Sequence, residues 1–222
     1  MRSKQKLSPE EIEKIKVLYS HDDLPPVKNW PLFIYFNLLR IFCFILFGIG
    51  SVVIALLVEP IIILGGKKKF KTRTRKLISW TFTFFIHLMS ITGGSKYKFH
   101  SKEKLTSAKG KVIVANHPSY IDVIYLISCI KNADCIIRGS IAKSIFAGVA
   151  RPLYILNTVG NQEMLELSKK SLESGANIII FPEGTRTPRH GTNQFKRGAA
   201  RIALNANCDI IPVYIGGSDK YG

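Results

Sequence analysis

The sequence predicts an α/β fold: a largely parallel or mixed sheet covered by helices, preceded by a hydrophobic two-helix or hairpin membrane segment. Three observations predict it. From Lys96 onward, short apolar runs alternate with helical stretches, the pattern of strands joined by crossover helices. Residues 32–64 are almost continuously apolar, and the eighteen residues from Ile41 to Val58 carry no charge. As a helix they would span about 27 Å, close to a bilayer core. Finally, two apolar runs, Lys111 to Ala115 and Ile178 to Phe181, each stop abruptly in a polar cluster. Strands do this where they deliver side chains to the ligand-binding edge of a sheet.

Three regions follow: a basic N-terminal segment (1–31), a membrane anchor with an interfacial helix (32–92), and a catalytic domain (93–222). In the first, Ser8, Pro9 and Glu11 form a helix start with an N-cap, a proline at the first turn and a capping-box acid. The helix runs over 8–20, with a partial apolar stripe at Ile12, Ile15, Val17 and Leu18. That stripe packs on protein or, beside Lys14 and Lys16, lies on a membrane. His21 to Pro31 is a proline-rich linker.

In the second region, the apolar block is a membrane segment or a buried core helix. Basic residues flank it on both sides, so the charge rule that sets orientation favours neither end. Both ends then stay cytoplasmic, and Gly48 and Gly50 offer the bend of a re-entrant anchor. The basic run at residues 67–76 reads as a clamp on anionic headgroups, with a solvated face or a nucleic-acid patch as the competing readings. Leu77 to Ile91, rich in aromatics, is a second helix in the interface or against the first. Gly93-Gly94 ends it.

The third region alternates. Strands are expected at Tyr97–His100, Lys111–Ala115, Cys135–Arg138, Leu153–Leu156, Asn177–Phe181 and Asp209–Ile215. Helices are expected at Ser119–Ile130, Ile141–Ala150, Asn161–Ser174 and Phe195–Asn207.

Composition narrows the partners. The net charge is +17, from 32 Lys+Arg against 15 Asp+Glu, which implies a polyanionic partner: nucleic acid, an anionic membrane surface or a phosphorylated substrate. No zinc-finger, RNP or basic-zipper pattern supports nucleic acid. Cys43, Cys129, Cys135 and Cys208 are scattered without a CxxC, so neither a zinc site nor a disulfide framework is expected, and a reducing compartment is. The charged first thirty residues do not read as a cleavable signal peptide.

Two clusters carry chemistry. His117 and Asp122 stand five residues apart across a strand-to-helix turn. A neutral imidazole takes a proton from a hydroxyl, and a carboxylate fixes its tautomer and stabilises the imidazolium. In Phe181-Pro182-Glu183-Gly184-Thr185-Arg186, Glu183 is an acceptor or orienting group and Gly184 lets backbone approach a ligand. Arg186 offers a bidentate fork for phosphate or carboxylate. An exposed turn with a structural ion pair is the plainer reading of that cluster. No G-x-S-x-G elbow accompanies Ser119, and neither a dinucleotide fingerprint nor a P-loop is present.

Asn116 to Asp122 resembles the NHx4D block of the glycerolipid acyltransferases, the lysophosphatidic acid acyltransferase family. Phe181 to Arg186 resembles that family's FPEGTR block, Ile211-Pro212-Val213 its closing block, and Ala142-Lys143 the lysine between the first two. The resemblance covers about residues 75–222. It implies that His117 is the general base toward an acceptor hydroxyl, that Asp122 orients it, and that the hydroxyl attacks an acyl thioester directly. It implies substrate contacts at Asn116, Ser119, Lys143, Glu183, Gly184, Thr185 and Arg186, with Arg186 on the phosphate. Backbone N–H groups near Gly184 or after His117 would hold the oxyanion. The donor would be acyl-CoA or acyl-ACP, with no bound cofactor and no metal. The partners would be a lysophospholipid acceptor, anionic membrane lipids and an acyl carrier protein, and the location the cytoplasmic face of a membrane. One departure stands out: Asn157 falls where the family's second block has an arginine, with Arg138 or Arg151 as candidates to compensate. The alternatives are transfer to another lipid acceptor, or a non-catalytic membrane-surface binding protein.

Overall fold

Short runs of Val, Ile and Ala form the centre of the molecule. In the computed structural model, which describes residues 8–64, 66–137, 139 and 153–221, these runs are strands β1 (Val112–Ala115), β2 (Ala133–Ile137), β3 (Tyr154–Leu156), β4 (Asn177–Ile180) and β5 (Ile210–Val213). They form a five-stranded sheet of order β3-β2-β4-β1-β5, and every pairing is parallel. β-branched side chains suit a pleated surface buried on both faces.

The helices are α1 (Pro9–Leu18), α2 (Trp30–Val53), α3 (Glu59–Leu64), α4 (Lys67–Ile91), α5 (Lys102–Thr106), α6 (Asp122–Cys129), α7 (Asn161–Glu173) and α8 (Gly198–Ala206). A five-residue π-helical stretch, Ile54–Val58, joins α2 to α3. Because side chains alternate along a strand, each sheet face takes its own layer. Ile113, Ala115, Cys135 and Ile179 pack against α4 and α6, through Ile78, Phe85, Met89, Ile124 and Ile127. Val112, Ile178, Ile180 and Ile155 pack against α7 and α8, through Leu165, Leu172 and Ile202. Each fully buried Val, Ile or Met among them stabilises the fold by about 1.5–3 kcal/mol.

The strand order fixes where a site can form. From β1 the chain crosses past β4 to β2, and from β4 it crosses past β1 to β5. Connections therefore leave two adjacent strands in opposite directions, which opens a crevice at their carboxyl ends. His117 follows β1 there, and Phe181 to Arg186 follow β4.

The N-terminal hydrophobic region departs from expectation in its helix number and in where it is irregular, and it excludes the core-helix alternative. Among the described residues one helix is long and apolar enough to cross a membrane, over Trp30–Ile62, rather than a clear pair. It is not a core helix: only Cys43 and Ser51 of α2 are buried, while Leu38, Ile45, Leu56 and Ile61 are more than half exposed. α2 stays α-helical through Gly48 and Gly50, and the irregularity falls at the π stretch instead. One side of α2 docks on α4, with Phe47 and Phe85 ring centroids 4.6 Å apart and Arg40 Nε donating to Gly94 O at 2.8 Å.

Leu77 to Ile91 is the second half of α4, whose inner face covers α6 and the sheet. The first half of α4 incorporates the basic run, and two of its charges turn inward. Arg75, 3 % exposed, grips the fully buried Asp134 with Nε–Oδ1 at 2.9 Å and Nη2–Oδ2 at 2.7 Å. Lys71 reaches the same carboxylate at 2.9 Å, and Ser171 and Asn132 complete the cluster. Arg75 is thus consumed inside the fold and is not available to an external anion.

Tyr97 to His100 forms no strand. Tyr97 and Phe99 instead stack edge-on with each other and against Tyr125, an aromatic cluster that replaces ladder hydrogen bonds. The expected helix at Ile141–Ala150, and with it Lys143, Arg138 and Arg151, lies outside the described residues.

Candidate active site

β1 is prolonged by one rung through a side chain. The Asn116 amide donates to Ile215 O at 2.8 Å and accepts from Ile215 N at 2.7 Å, which continues the β1–β5 pairing beyond Ala115 and Val213. Pro118 disfavours helix at His117, so the chain turns before α6 can begin. In that turn Ser119 N donates to Asp122 Oδ2 at 2.7 Å, and Ile121 N donates to Ser119 Oγ at 3.3 Å.

The turn sets Asp122 beneath His117. Asp122 Oδ2 lies 3.1 Å from His117 Nδ1. A carboxylate only accepts, so Nδ1 carries the proton and Nε2 keeps its lone pair. The imidazole is 19 % exposed and the carboxylate 0 %, which leaves the ring as the group that meets solvent or substrate. Phe181 stacks on the ring at 4.1 Å between centroids and 22° between planes, fixing it from the β4 side. Asp122 Oδ1 is buried with no hydrogen-bond partner among the described residues.

The loop after β4 is tied to the His117 turn at several points. His117 N donates to Thr187 Oγ1 at 2.9 Å and Thr187 N donates to His117 O at 2.8 Å. Thr187 Oγ1 in turn donates to Glu183, whose second oxygen accepts from Asn193 Nδ2 at 2.8 Å. Gly184 adopts φ +66°, a left-handed conformation that glycine adopts without strain. Arg186 lies with its guanidinium carbon 4.5 Å from the Tyr120 ring centroid and 5.7 Å from that of Tyr19, a cation–π arrangement that holds the fork in place.

A cavity of about 1210 Å³ opens over these groups. Its lining combines His117, Arg186, Thr185 and Lys196 with an apolar set that includes Val123, Ile137 and Met164. Cys135 also borders it, but burial, with a contribution from Asp134, pushes its thiol up to about 12, so it stays protonated and is no nucleophile. No group of three or more His, Cys, Asp or Glu side chains among the described residues is placed to hold a metal ion.

The structure brings His117, Asp122, Gly184, Thr185 and Arg186 together at one crevice. Three residues expected to contact substrate have other work. Asn116 spends both amide atoms on Ile215, Ser119 is 1 % exposed and shapes the Asp122 turn, and Glu183 is 4 % exposed with both oxygens occupied. The N–H groups of His117, Ser119 and Gly184 already donate to Thr187, Asp122 and Phe181 O.

Other site residues carry no prior signal in the sequence. Tyr19 belongs to the segment after α1, and its hydroxyl donates to Arg186 O at 2.8 Å. Behind it, Arg189 binds Asp23 bidentately at 2.6 and 2.7 Å, so the N-terminal segment is strapped across the cavity rim. Thr187 and Asn193 adjoin the motif, but only their contacts disclose their role.

The sequence model of the family described as Acyltransferase matches residues 96–216, which contain all of β1 to β5 and both clusters. This chain belongs to the acyltransferase family. Among its relatives, a 1-acyl-sn-glycerol-3-phosphate acyltransferase of Pseudomonas aeruginosa is 26 % identical over 151 residues, covering 65 % of this chain and 58 % of that protein. The 1-acyl-sn-glycerol-3-phosphate acyltransferase beta of Homo sapiens is 24 % identical over 148 residues, covering 62 % and 51 %. The chain thus spans about half the length of the curated relatives it matches. The crystal structure of the 1-acyl-sn-glycerophosphate acyltransferase PlsC from Thermotoga maritima shares the fold, with a TM-score of 0.62 at 20 % identity, covering 84 % of this acyltransferase-family chain and 76 % of the other.

Proposed function

We propose that this acyltransferase-family protein moves a fatty acyl group from an acyl thioester, acyl-CoA or acyl-ACP, to the hydroxyl of a lysophospholipid such as 1-acyl-glycerol-3-phosphate. The observation that carries the reading is His117: its Nδ1 is held by a buried carboxylate and its ring faces a large, partly apolar cavity that also contains an arginine.

In the proposed reaction His117 Nε2 removes the proton of the acceptor hydroxyl as its oxygen attacks the thioester carbonyl. The C–O bond forms, and the tetrahedral intermediate collapses with loss of the thiolate. The imidazolium, stabilised by Asp122, returns the proton to the leaving sulfur. Arg186, braced by Tyr120 and Tyr19, takes the acceptor phosphate, and Thr185 lies beside it. Asn116, Ser119 and Glu183 position the two loops. Lys143, from the segment between the clusters, is kept as a substrate contact on the resemblance alone.

Residues 1–31, 32–92 and 93–222 act in this reading as a basic segment, an anchor and a catalytic domain, with α4 also lending its inner face to the sheet. The exposed α2 lies in the membrane and the cavity opens at the cytoplasmic face, where anionic lipids meet the basic surface. Whether α2 spans or re-enters is answered by reporter fusions at residues 30 and 70.

The test is lipid mass spectrometry of the purified chain, offered acyl-CoA or acyl-ACP and a panel of lyso-lipids. Acylation of a phosphomonoester lyso-lipid supports the reading. Acylation confined to an acceptor of another class moves the acceptor, and no acylated product with any pair sinks the reading.

A further inference from the structure

Lys196 sits at the start of the segment leading into α8, and it is built into the loop after β4. Its backbone N–H donates to Pro182 O at 2.8 Å, and its side chain then lies back over Gly184. A β-carbon at Gly184 would stand 2.7 Å from Lys196 Nζ and 3.3 Å from its Cε. The absence of a side chain at Gly184 is therefore what admits the ammonium group. Lys196 and Arg186 both line the His117 cavity. Lys196 forms no ion pair or side-chain hydrogen bond with the described residues, whereas Lys71 and Arg189 are consumed by carboxylates. Asn157 lines the same cavity and brings no charge.

A cation held over Gly184 with no anion among the described residues, in the same cavity as a braced guanidinium, is an arrangement for an external anion. We infer that Lys196 is the second cation of a phosphomonoester site whose first is Arg186, and that it supplies the charge that Asn157 does not. The inference rests on the proposed acyl transfer for its substrate and adds the residue that selects the headgroup. Two cations match the near-double charge of a phosphomonoester, while a neutral or zwitterionic headgroup uses the pair poorly. Gly184 gains a second role, because any side chain there displaces the ammonium.

The experiment uses the full chain in detergent micelles, with sn-glycerol 3-phosphate as the binding probe and glycerol as its neutral control, measured by calorimetry without an acyl donor. Lys196→Gln is expected to weaken glycerol 3-phosphate binding at least about tenfold, as loss of a charge-assisted contact does. Lys196→Arg should stay much nearer to wild type, and glycerol should bind none of the three. In the transfer assay, Lys196→Gln should raise KM for 1-acyl-glycerol-3-phosphate in the same proportion and leave kcat within about threefold. Unchanged phosphate binding in Lys196→Gln overturns the site. Equal losses in the Gln and Arg variants, or a fall in kcat with KM unmoved, overturn it too. Lys196-dependent binding without any acyl transfer by wild type would retain the anion site and remove the acyl-transfer reading. Transfer that ignores Lys196 would do the reverse.

Discussion

Substituting Asp134→Ala removes the anion that Arg75 and Lys71 share at the amino end of β2. Arg75 is 3 % exposed and cannot reach water without unpacking α4, so its guanidinium is left buried and uncompensated. Breaking one side of such a pair costs about 3–5 kcal/mol. For a chain of this size each kcal/mol corresponds to about 2–4 °C in melting temperature, so the expected fall is about 6–20 °C. The half-exposed Lys71 swings out and adds little. Arg75→Met alone should cost a similar amount, because Asp134 then keeps only Lys71 and Ser171 as partners. Pairing the two substitutions removes both buried charges, so the double variant should be clearly more stable than the sum of the singles implies. Thermal unfolding of the four proteins in one detergent, followed by tryptophan fluorescence, gives the cycle. Additive losses, or single losses below about 1 kcal/mol, would refute the claim that α4 is fastened to the sheet by a buried ion cluster.

Two further outcomes follow from the site and its rim. Asp122→Asn should lower kcat by up to about 10⁴ with the fold intact. With its NH2 toward His117, the amide clashes with the Ser119 N–H donor and makes Nδ1 the acceptor, the wrong tautomer; with its oxygen there, the tautomer is kept but a buried NH2 is left unpaired and the negative charge that stabilises the imidazolium is gone. Burst and steady-state assays of transfer measure that loss, and a decline of less than tenfold would contradict the orienting role. The strap at Asp23 predicts a pH dependence. The Arg189 hydrogen bonds hold the Asp23 carboxyl down from 3.8 to about 2. A carboxylate lowered in the folded state adds stability that is fully present above 3.8 and is lost as pH falls toward about 2. Amide protection factors in residues 8–23, corrected for intrinsic exchange, should therefore fall over that interval, and Asp23→Asn should show low protection throughout. Protection that stays pH-independent in wild type would contradict the strap.

Much of the architecture was legible because it rests on local patterning. The capping box at Ser8 and Glu11 forms as the sequence implies, with Ser8 N to Glu11 Oε2 at 2.8 Å. The apolar runs ending at Ala115 and Ile180 are the two strands that flank the crevice. Contacts distant in sequence were not legible. Arg75 reads as one more charge in a basic run until Asp134, 59 residues on, is placed against it. The inward stripe Arg75, Ile78, Ser79, Phe82, Ile86 and Met89 does follow helical spacing and marks α4 as a sheet-covering helix. Tyr97 and Phe99 have strand propensity, but aromatic packing satisfied them without a ladder. The site divides in the same way. His117, Asp122 and Arg186 carry their chemistry in their residue type. Ser119 and Asn116 look like ligands but bind backbone, Glu183 holds the side chains of Thr187 and Asn193, and Tyr19 enters the site only because the chain after α1 folds over it.

The central claim is that His117 is the base. The most direct measurement is the initial rate of acyl transfer from radiolabelled acyl-CoA to 1-acyl-glycerol-3-phosphate, for wild type and His117→Gln at matched melting temperature. The account predicts active wild type and a loss of at least about 10²-fold in kcat in the variant, with acceptor KM little changed. Transfer by His117→Gln at a rate close to wild type would contradict it.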